Sequence, residues 1–357
     1  MKKLLAILAI AVAAVVAFVG LSIAWFAASR AADFSEQARR VQALRATGVD
    51  PGAASTAADR ALPDEAPFDR LRMIATHNSY RKRADPLRML FIGLAEPGES
   101  AKLGYSHPAP LAQLEAGVRS MELDLRFSGG RFVCAHVPLV DDRSTIPDFG
   151  SALEEIALWS DRRPGHAPIV LLLELKSDYL FLDPRSKRIG PEELELLDGT
   201  IASALGARLL RPDEVRGDAS DLATALAPRG WPALGRLRGR ILVVLHPNEK
   251  FRIPYSEGHP ALAGRAMFTC PPPPSADLAF AVVNEARERA EDIARLTASR
   301  AIVRTRADAD GSFGADGLEA ALASGAQIVS TDYPAAYPER SGYRAELPGG
   351  GTLGILP

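Results

Sequence analysis

The chain has 357 residues, 47% hydrophobic and 24% charged, enough apolar content for a sizeable core and too much for disorder throughout. Lys and Arg total 42 against 44 Asp and Glu, a formal charge of -2, so there is no basic excess to neutralise phosphate backbones and nucleic acid is not expected as a partner. The two cysteines, Cys134 and Cys270, are too few for a disulfide framework or a four-thiolate zinc site.

In chain order, Lys2 and Lys3 precede an uncharged run over residues 4–28. The apolar core of a signal peptide runs about 7–15 residues, and a membrane-spanning helix needs about 20. The length therefore favours a retained anchor, with catalysis outside the cytoplasm. Ala27-Ala28-Ser29 is a usable cleavage site that would leave a secreted protein. Arg30, Arg39, Arg40 and Arg45 outnumber Lys2 and Lys3, which weakens an orientation read from flanking charge. Segment 1–29 is predicted as transmembrane anchor or signal peptide, 30–67 as linker, 68–340 as one catalytic domain and 341–357 as a loose C-terminal tail.

Within the domain, strands are predicted at 71–77, 120–126, 131–136, 168–176, 240–246, 266–270, 301–308 and 327–332. Helical patterns lie between several of them, clearest at 151–160, 192–205, 285–299 and 317–324. Alternating strands and helices predict a parallel sheet, and eight strands in this length predict an α/β fold of the closed TIM-type (β/α)8 barrel. No glycine-rich phosphate loop follows any strand.

Polar residues interrupt these strands with a period of two. Ser120, Glu122, Asp124 and Arg126 share one face, and Cys134 and His136 another. Glu174 with Lys176, Arg304 with Arg306, and Ser330 with Asp332 do the same. Inside a barrel such charges are costly unless paired or bound to metal, and late strand positions build the active sites of these barrels. Asn78, Glu122, Asp124 and Glu174 are hard oxygen donors suited to calcium. His77 and His136 fit an acid–base pair. Asp332 ends the eighth strand beside the first and could orient His77. Lys176, Arg304 and Arg306 add charge for a phosphate, with inward salt bridges to the carboxylates as the alternative for all three. His107, His166 and His259 sit in Pro-containing loops and are expected to be structural or exposed. His246 could reach the mouth but carries little weight, Cys134 is expected as a thiol buried in the barrel, and the Asp141-Asp142 pair as a solvated loop unless one of the two assists the site.

The stretches ATHNSY (75–80), YSHPAPLAQLEAGVRSMELDLRF (105–127), CAHVPLVDDRST (134–145), WSDRRPGHAPIVLLLELK (159–176), VRTRADAD (303–310) and SGAQIVSTDYPA (324–335) follow one another in order. In them the sequence resembles the bacterial calcium-dependent phosphoinositide phospholipase C family of the phosphatidylinositol-phosphodiesterase barrel superfamily. The resemblance implies Asn78, Glu122, Asp124 and Glu174 as Ca2+ ligands and His77 and His136 as catalytic base and acid. It also implies a phosphoinositide lipid or related inositol phosphodiester as substrate, at a membrane surface. The reaction implied is attack of the inositol 2-hydroxyl on phosphorus, giving a cyclic inositol phosphate and diacylglycerol. Residues 81–102 do not align with the family pattern. Two alternatives remain: a glycerophosphodiester phosphodiesterase, although this chain has His77-Asn78-Ser79 where such enzymes carry His-Arg-Gly, and a non-catalytic membrane-tethered module binding polyol phosphates.

Overall fold

The computed structural model describes residues 1–47, 55–309, 314–334 and 342–356. Part of the predicted linker (48–54), Asp310 and the end of the predicted domain (335–340) lie outside them. The strands are β1 Leu71–Thr76, β2 Ser120–Ser128, β3 Arg131–Cys134, β4 Ile169–Leu175, β5 Ser186–Lys187, β6 Ile241–Leu245, β7 Phe268–Thr269, β8 Phe280–Val282, β9 Ile302–Arg306, β10 Ile328–Thr331 and β11 Leu353–Ile355. Eight of them form a parallel path in the order β7-β6-β4-β2-β1-β10-β9-β8. This is the predicted barrel, nearly closed. No ladder joins β7 to β8 among the described residues, and a cleft of about 690 Å³ lined by Pro271–Pro274 opens there. Proline has no N–H to donate to a ladder, so this stretch cannot zip the seam.

Two predicted details change. The segment 131–136 is not a barrel strand: β3 folds back antiparallel on β2 through Gly129 and Gly130, both at positive φ, as a two-residue hairpin requires. The eighth place is taken by β8, a three-residue strand too short to show a period of two. Cys134 is accordingly buried against the hairpin, outside the barrel lumen, and both cysteines are free thiols.

The described parts of the two flanking segments carry regular structure. The N-terminal helix runs unbroken from Lys2 to Ala46. Thr56 and Asp59 form a capping box, and the wholly buried Asp59 receives Nε and Nη2 of the equally buried Arg119 at 2.9 and 2.5 Å. A guanidinium removed from water needs such a partner, which holds the segment to the barrel base. At the other terminus β11 pairs antiparallel with the first half of β1. The aromatic rings of Phe68, Trp231, Phe268 and Phe280 pack at 5.2–6.0 Å and fill the barrel interior beneath the polar layer.

Candidate active site

Strand register assembles the site. Thr76 pairs with Thr331, so the next residues, His77 and Asp332, emerge side by side, with Nδ1 of His77 2.7 Å from Oδ1 of Asp332. A proton on Nδ1 donates to this carboxylate, which leaves Nε2 free to accept one. Arg306 donates to the second oxygen of Asp332 at 3.1 Å, and the Asp332 amide is held by Asp308. Burial alone would raise the Asp332 pKa, but His77 and Arg306 outweigh it and bring it down to about 2. Asp308 lacks that much compensation: burial and its neighbour Asp332 push it up to about 6.

The second histidine has its own carboxylate. Nδ1 of His136 lies 2.8 Å from Oδ2 of Asp141, and the same oxygen accepts from Arg81 at 2.7 Å. Burial raises the Asp141 pKa, yet Arg81 and His136 hold it well below the ordinary range. The expected solvated Asp141-Asp142 loop is therefore corrected: both residues are buried, and Asp142 pairs with Arg30 and Arg88. Sequence carried little signal for this, because an acidic doublet looks the same whether it meets water or three arginines.

In the β2–β4 ladder Asp124 stands opposite Glu174. Asn78, at a φ of 47°, donates from Nδ2 to the Tyr105 hydroxyl at 3.0 Å, while its Oδ1 is buried without a partner. Both Asp124 carboxylate oxygens are likewise buried without a hydrogen bond, with Lys176 Nζ 3.5 Å from one of them. Lys176 pairs more closely with Glu174, and Glu122 pairs with Arg304. Burial would raise Glu122, but Arg304 and His77 bring it to about 2.

Of the residues singled out from sequence, His77, Asn78, Asp124, His136, Glu174, Lys176, Arg306 and Asp332 line one cavity of about 200 Å³. Glu122 lies behind it, 3.9 Å from Nε2 of His77. Arg304 does not line it, because its guanidinium is spent on Glu122, Asn284 and Ser330. The structure adds His246, whose ring lies with the carboxylates of Glu122 and Glu174 within 4.8 Å of one another. Leu173 pairs with Leu245, so Glu174 and His246 are neighbours one residue on. The parity of His246 on its strand was readable, but its register was not.

The donor chemistry fits a hard cation. Asn78, Glu122, Asp124 and Glu174 supply an amide and three carboxylates, and three of their oxygens are buried without a hydrogen bond. An all-oxygen set of this kind suits calcium, whereas His246 is a softer donor.

His107 and His166 are structural, as expected. His107 bonds through Nε2 to the backbone carbonyl of His77 at 2.9 Å, and His166 bonds Ser160 and the Ala167 carbonyl. Burial pulls both pKa values down to about 4. A depressed histidine contributes stability that is complete above about 6.5 and is lost as pH falls toward 4, up to about 3 kcal/mol each. Asp308, with its raised pKa, has the opposite sign and offsets part of this. Thermal melts from pH 7 to 4 should therefore show a falling Tm, with His166→Asn flattening the profile; identical profiles would remove the buried neutral ring as a cause.

Two histidine–carboxylate pairs beside a pocket lined by carboxylates, at the mouth of a nearly closed parallel barrel, are the arrangement looked for in a metal-dependent phosphodiesterase of TIM-barrel type. The sequence matches the profile of the family described as "Phosphoinositide phospholipase C, Ca2+-dependent" over residues 67–135 and 130–357. The chain belongs to that family: it is a phosphoinositide phospholipase C, and its metal is calcium. Solved structures agree in fold. A calcium-dependent phosphoinositol-specific phospholipase C from Pseudomonas sp, as a myoinositol complex, is similar at a TM-score of 0.56 and 18% identity, covering 82% of this chain and 96% of that one. Another crystal form of the Pseudomonas enzyme gives 0.58 and 17%, covering 87% and 100%. The calcium-dependent phosphatidylinositol-specific enzyme from Streptomyces antibioticus gives 0.55 and 18%, covering 78% and 97%. No curated protein is matched by the chain.

Proposed function

We propose that this enzyme cleaves phosphatidylinositol or a related inositol phosphodiester by attack of the inositol 2-hydroxyl on phosphorus. The observation that carries this reading is the pair of imidazoles on one cavity, each tied through Nδ1 to its own buried carboxylate. Nε2 of His77 takes the 2-hydroxyl proton, with Asp332 holding the ring and stabilising the charge it gains. As the new P–O bond forms, the bond to the glycerol oxygen breaks, and protonated His136 gives that oxygen its proton. Diacylglycerol and a five-membered cyclic phosphate result, and water can then open the ring. An internal nucleophile needs no second molecule to be positioned, which removes much of the entropic barrier.

Asn78, Glu122, Asp124 and Glu174 would hold Ca2+. When bound, the ion lowers the pKa of a coordinated hydroxyl and neutralises phosphoryl charge. Lys176 and Arg306, both on the cavity wall, are assigned to the phosphate; Arg304 is assigned to holding Glu122. The apolar N-terminal helix is read as a retained anchor that keeps the barrel at an extracytoplasmic membrane surface, with secretion as the outcome if it is cleaved.

Phosphorus NMR of products from phosphatidylinositol tests this. A cyclic phosphate resonance that appears with calcium and not with chelator is the expected result. Turnover of glycerophosphodiesters with no cyclic product would instead favour the glycerophosphodiester phosphodiesterase reading, and binding without turnover the non-catalytic module.

A further inference from the structure

The N-terminal helix has one buried stripe, Ser22, Phe26, Asp33, Gln37 and Val41, and it begins inside the apolar run. Below that run the helix is clamped along the barrel. Gln37 donates to the Asp148 carbonyl at 2.9 Å, Arg40 pairs with Glu155, and Arg162 donates to the Leu44 carbonyl. Rising numbers on this helix therefore meet rising numbers on the barrel helix Phe149–Arg162, so the two run parallel. That barrel helix starts beside the loop carrying His136 and Asp141, on the mouth side. The residues before Phe26 must then project beyond the mouth.

A second contact sits at the mouth itself. Helix Pro86–Ala95 stacks Phe91 on Phe18 at 6.1 Å and sets it edge-on to Phe26 at 5.9 Å. Its Arg88 is fully buried: the guanidinium lies 4.3 Å over the Phe26 ring and bonds the Phe26 carbonyl, Ser29, Asp85 and Asp142. Removal of the helix up to Ala28 would strip the Phe26 ring and carbonyl from it. The other face of Pro86–Ala95 presents Leu90 and Leu94 to the outside, 51% and 72% exposed and one helical turn apart. Phe91 and Ile92 also wall an apolar pocket of about 490 Å³ whose far side carries Tyr179 and Phe181 and which reaches His136 and Lys176. Phe181 is 80% exposed.

We propose that helix Pro86–Ala95 lies in the outer leaflet against the anchor, with Leu90, Leu94 and Phe181 among the acyl chains, so that the apolar pocket opens sideways into the bilayer from which the anchor emerges. This rests on the reading of residues 4–28 as a membrane span. The depth agrees: the 22 residues from Leu4 to Trp25 extend about 33 Å, against a hydrocarbon core of about 30 Å. Phe18 and Phe26, the two rings that hold Phe91, bracket the last ~10 Å of that span. The occupant is lipid because the patch is continuous with the uncharged, outward-facing surface of the anchor, and its one guanidinium is neutralised inside. The enzyme thereby takes its substrate from its own leaflet, with the lipid sliding in laterally and diacylglycerol leaving the same way.

The test uses full-length protein in nanodiscs of phosphatidylcholine, which contain no inositol lipid. Single cysteines at Val12, Leu94 and Ile355, the last at the barrel base, are introduced into a chain whose two native thiols are buried and are labelled with an environment-sensitive fluorophore. Spin-labelled lipids are expected to quench Val12 and Leu94 and to spare Ile355. Quenching at Val12 with none at Leu94 would overturn the proposal and leave the anchor standing; no quenching at either site would remove both. The double variant Leu90→Asp/Leu94→Asp should lose roughly tenfold in turnover of bilayer phosphatidylinositol and keep its turnover of a water-soluble inositol phosphodiester. Equal effects on both substrates would argue against lateral entry.

Discussion

His77→Ala and His136→Ala are each expected to cut turnover of phosphatidylinositol by about 10²–10⁴-fold without unfolding the barrel. Neither ring lies in a packed apolar cluster; His77 and His136 line the cavity and keep side-chain exposures of 18% and 32%. Their loss leaves Asp332 with Arg306 and Asp141 with Arg81, so neither carboxylate is stranded without a counter-charge. Circular dichroism and melting temperature should therefore stay close to those of the parent. The two variants should differ in what rescues them. A substrate with a good leaving group bypasses the acid and should restore His136→Ala far more than His77→Ala, because activation of the 2-hydroxyl is still required. Equal rescue, or retained activity in either variant, would refute the division of labour between base and acid. Asp141→Asn should move in the direction of His136→Ala with a smaller loss.

Asp124→Asn is expected to raise the calcium needed for half-maximal activity by at least about tenfold, since a carboxylate charge counts heavily in a calcium site. Both of its oxygens are buried without a hydrogen bond, and Lys176 stands 3.5 Å from one of them. In the absence of calcium, burial holds its pKa above the ordinary value. A ligand role and a purely structural role therefore separate. Without calcium the asparagine variant should be at least as stable as the parent, because a costly buried charge is gone. On adding calcium the parent should gain melting temperature and the variant much less. An unchanged calcium titration, together with an equal thermal shift, would dismiss Asp124 as a ligand. Chelation should abolish turnover in the parent and leave the fold intact, because the ion pairs Glu122–Arg304 and Glu174–Lys176 still offset the remaining acids.

Much of this was readable one residue at a time. The parity of Glu122, Asp124 and Arg126 on one strand put them inside a barrel, and the order of the six matching stretches named the family. The run of 25 uncharged residues marked the N-terminal helix. These signals are local: a side chain alternates with its neighbours whatever the rest of the chain does. Composition excluded other classes for the same reason, since net charge and cysteine count do not depend on how the chain folds.

What remained hidden depends on distance through space. Segment 131–136 has the alternation of a barrel strand, and only its partner shows that it is the return arm of a hairpin on β2. β8, at three residues, has too little pattern to be seen. Nothing in the sequence told which of Asp141 and Asp142 meets His136, or that both are buried, because burial by Arg81 is a property of the packed loop. His246 joined Glu122 and Glu174 through a register that no single strand contains. Charge alone left Arg304 open to a phosphate or to an inward salt bridge, and the fold turned it to Glu122. The chemistry available to the protein was thus written in residue types and their period. Which groups meet, which charges are already neutralised and which way the mouth faces were decided by strand register and helix docking, since a pairwise energy has no value until the separation and the solvent between the partners are set.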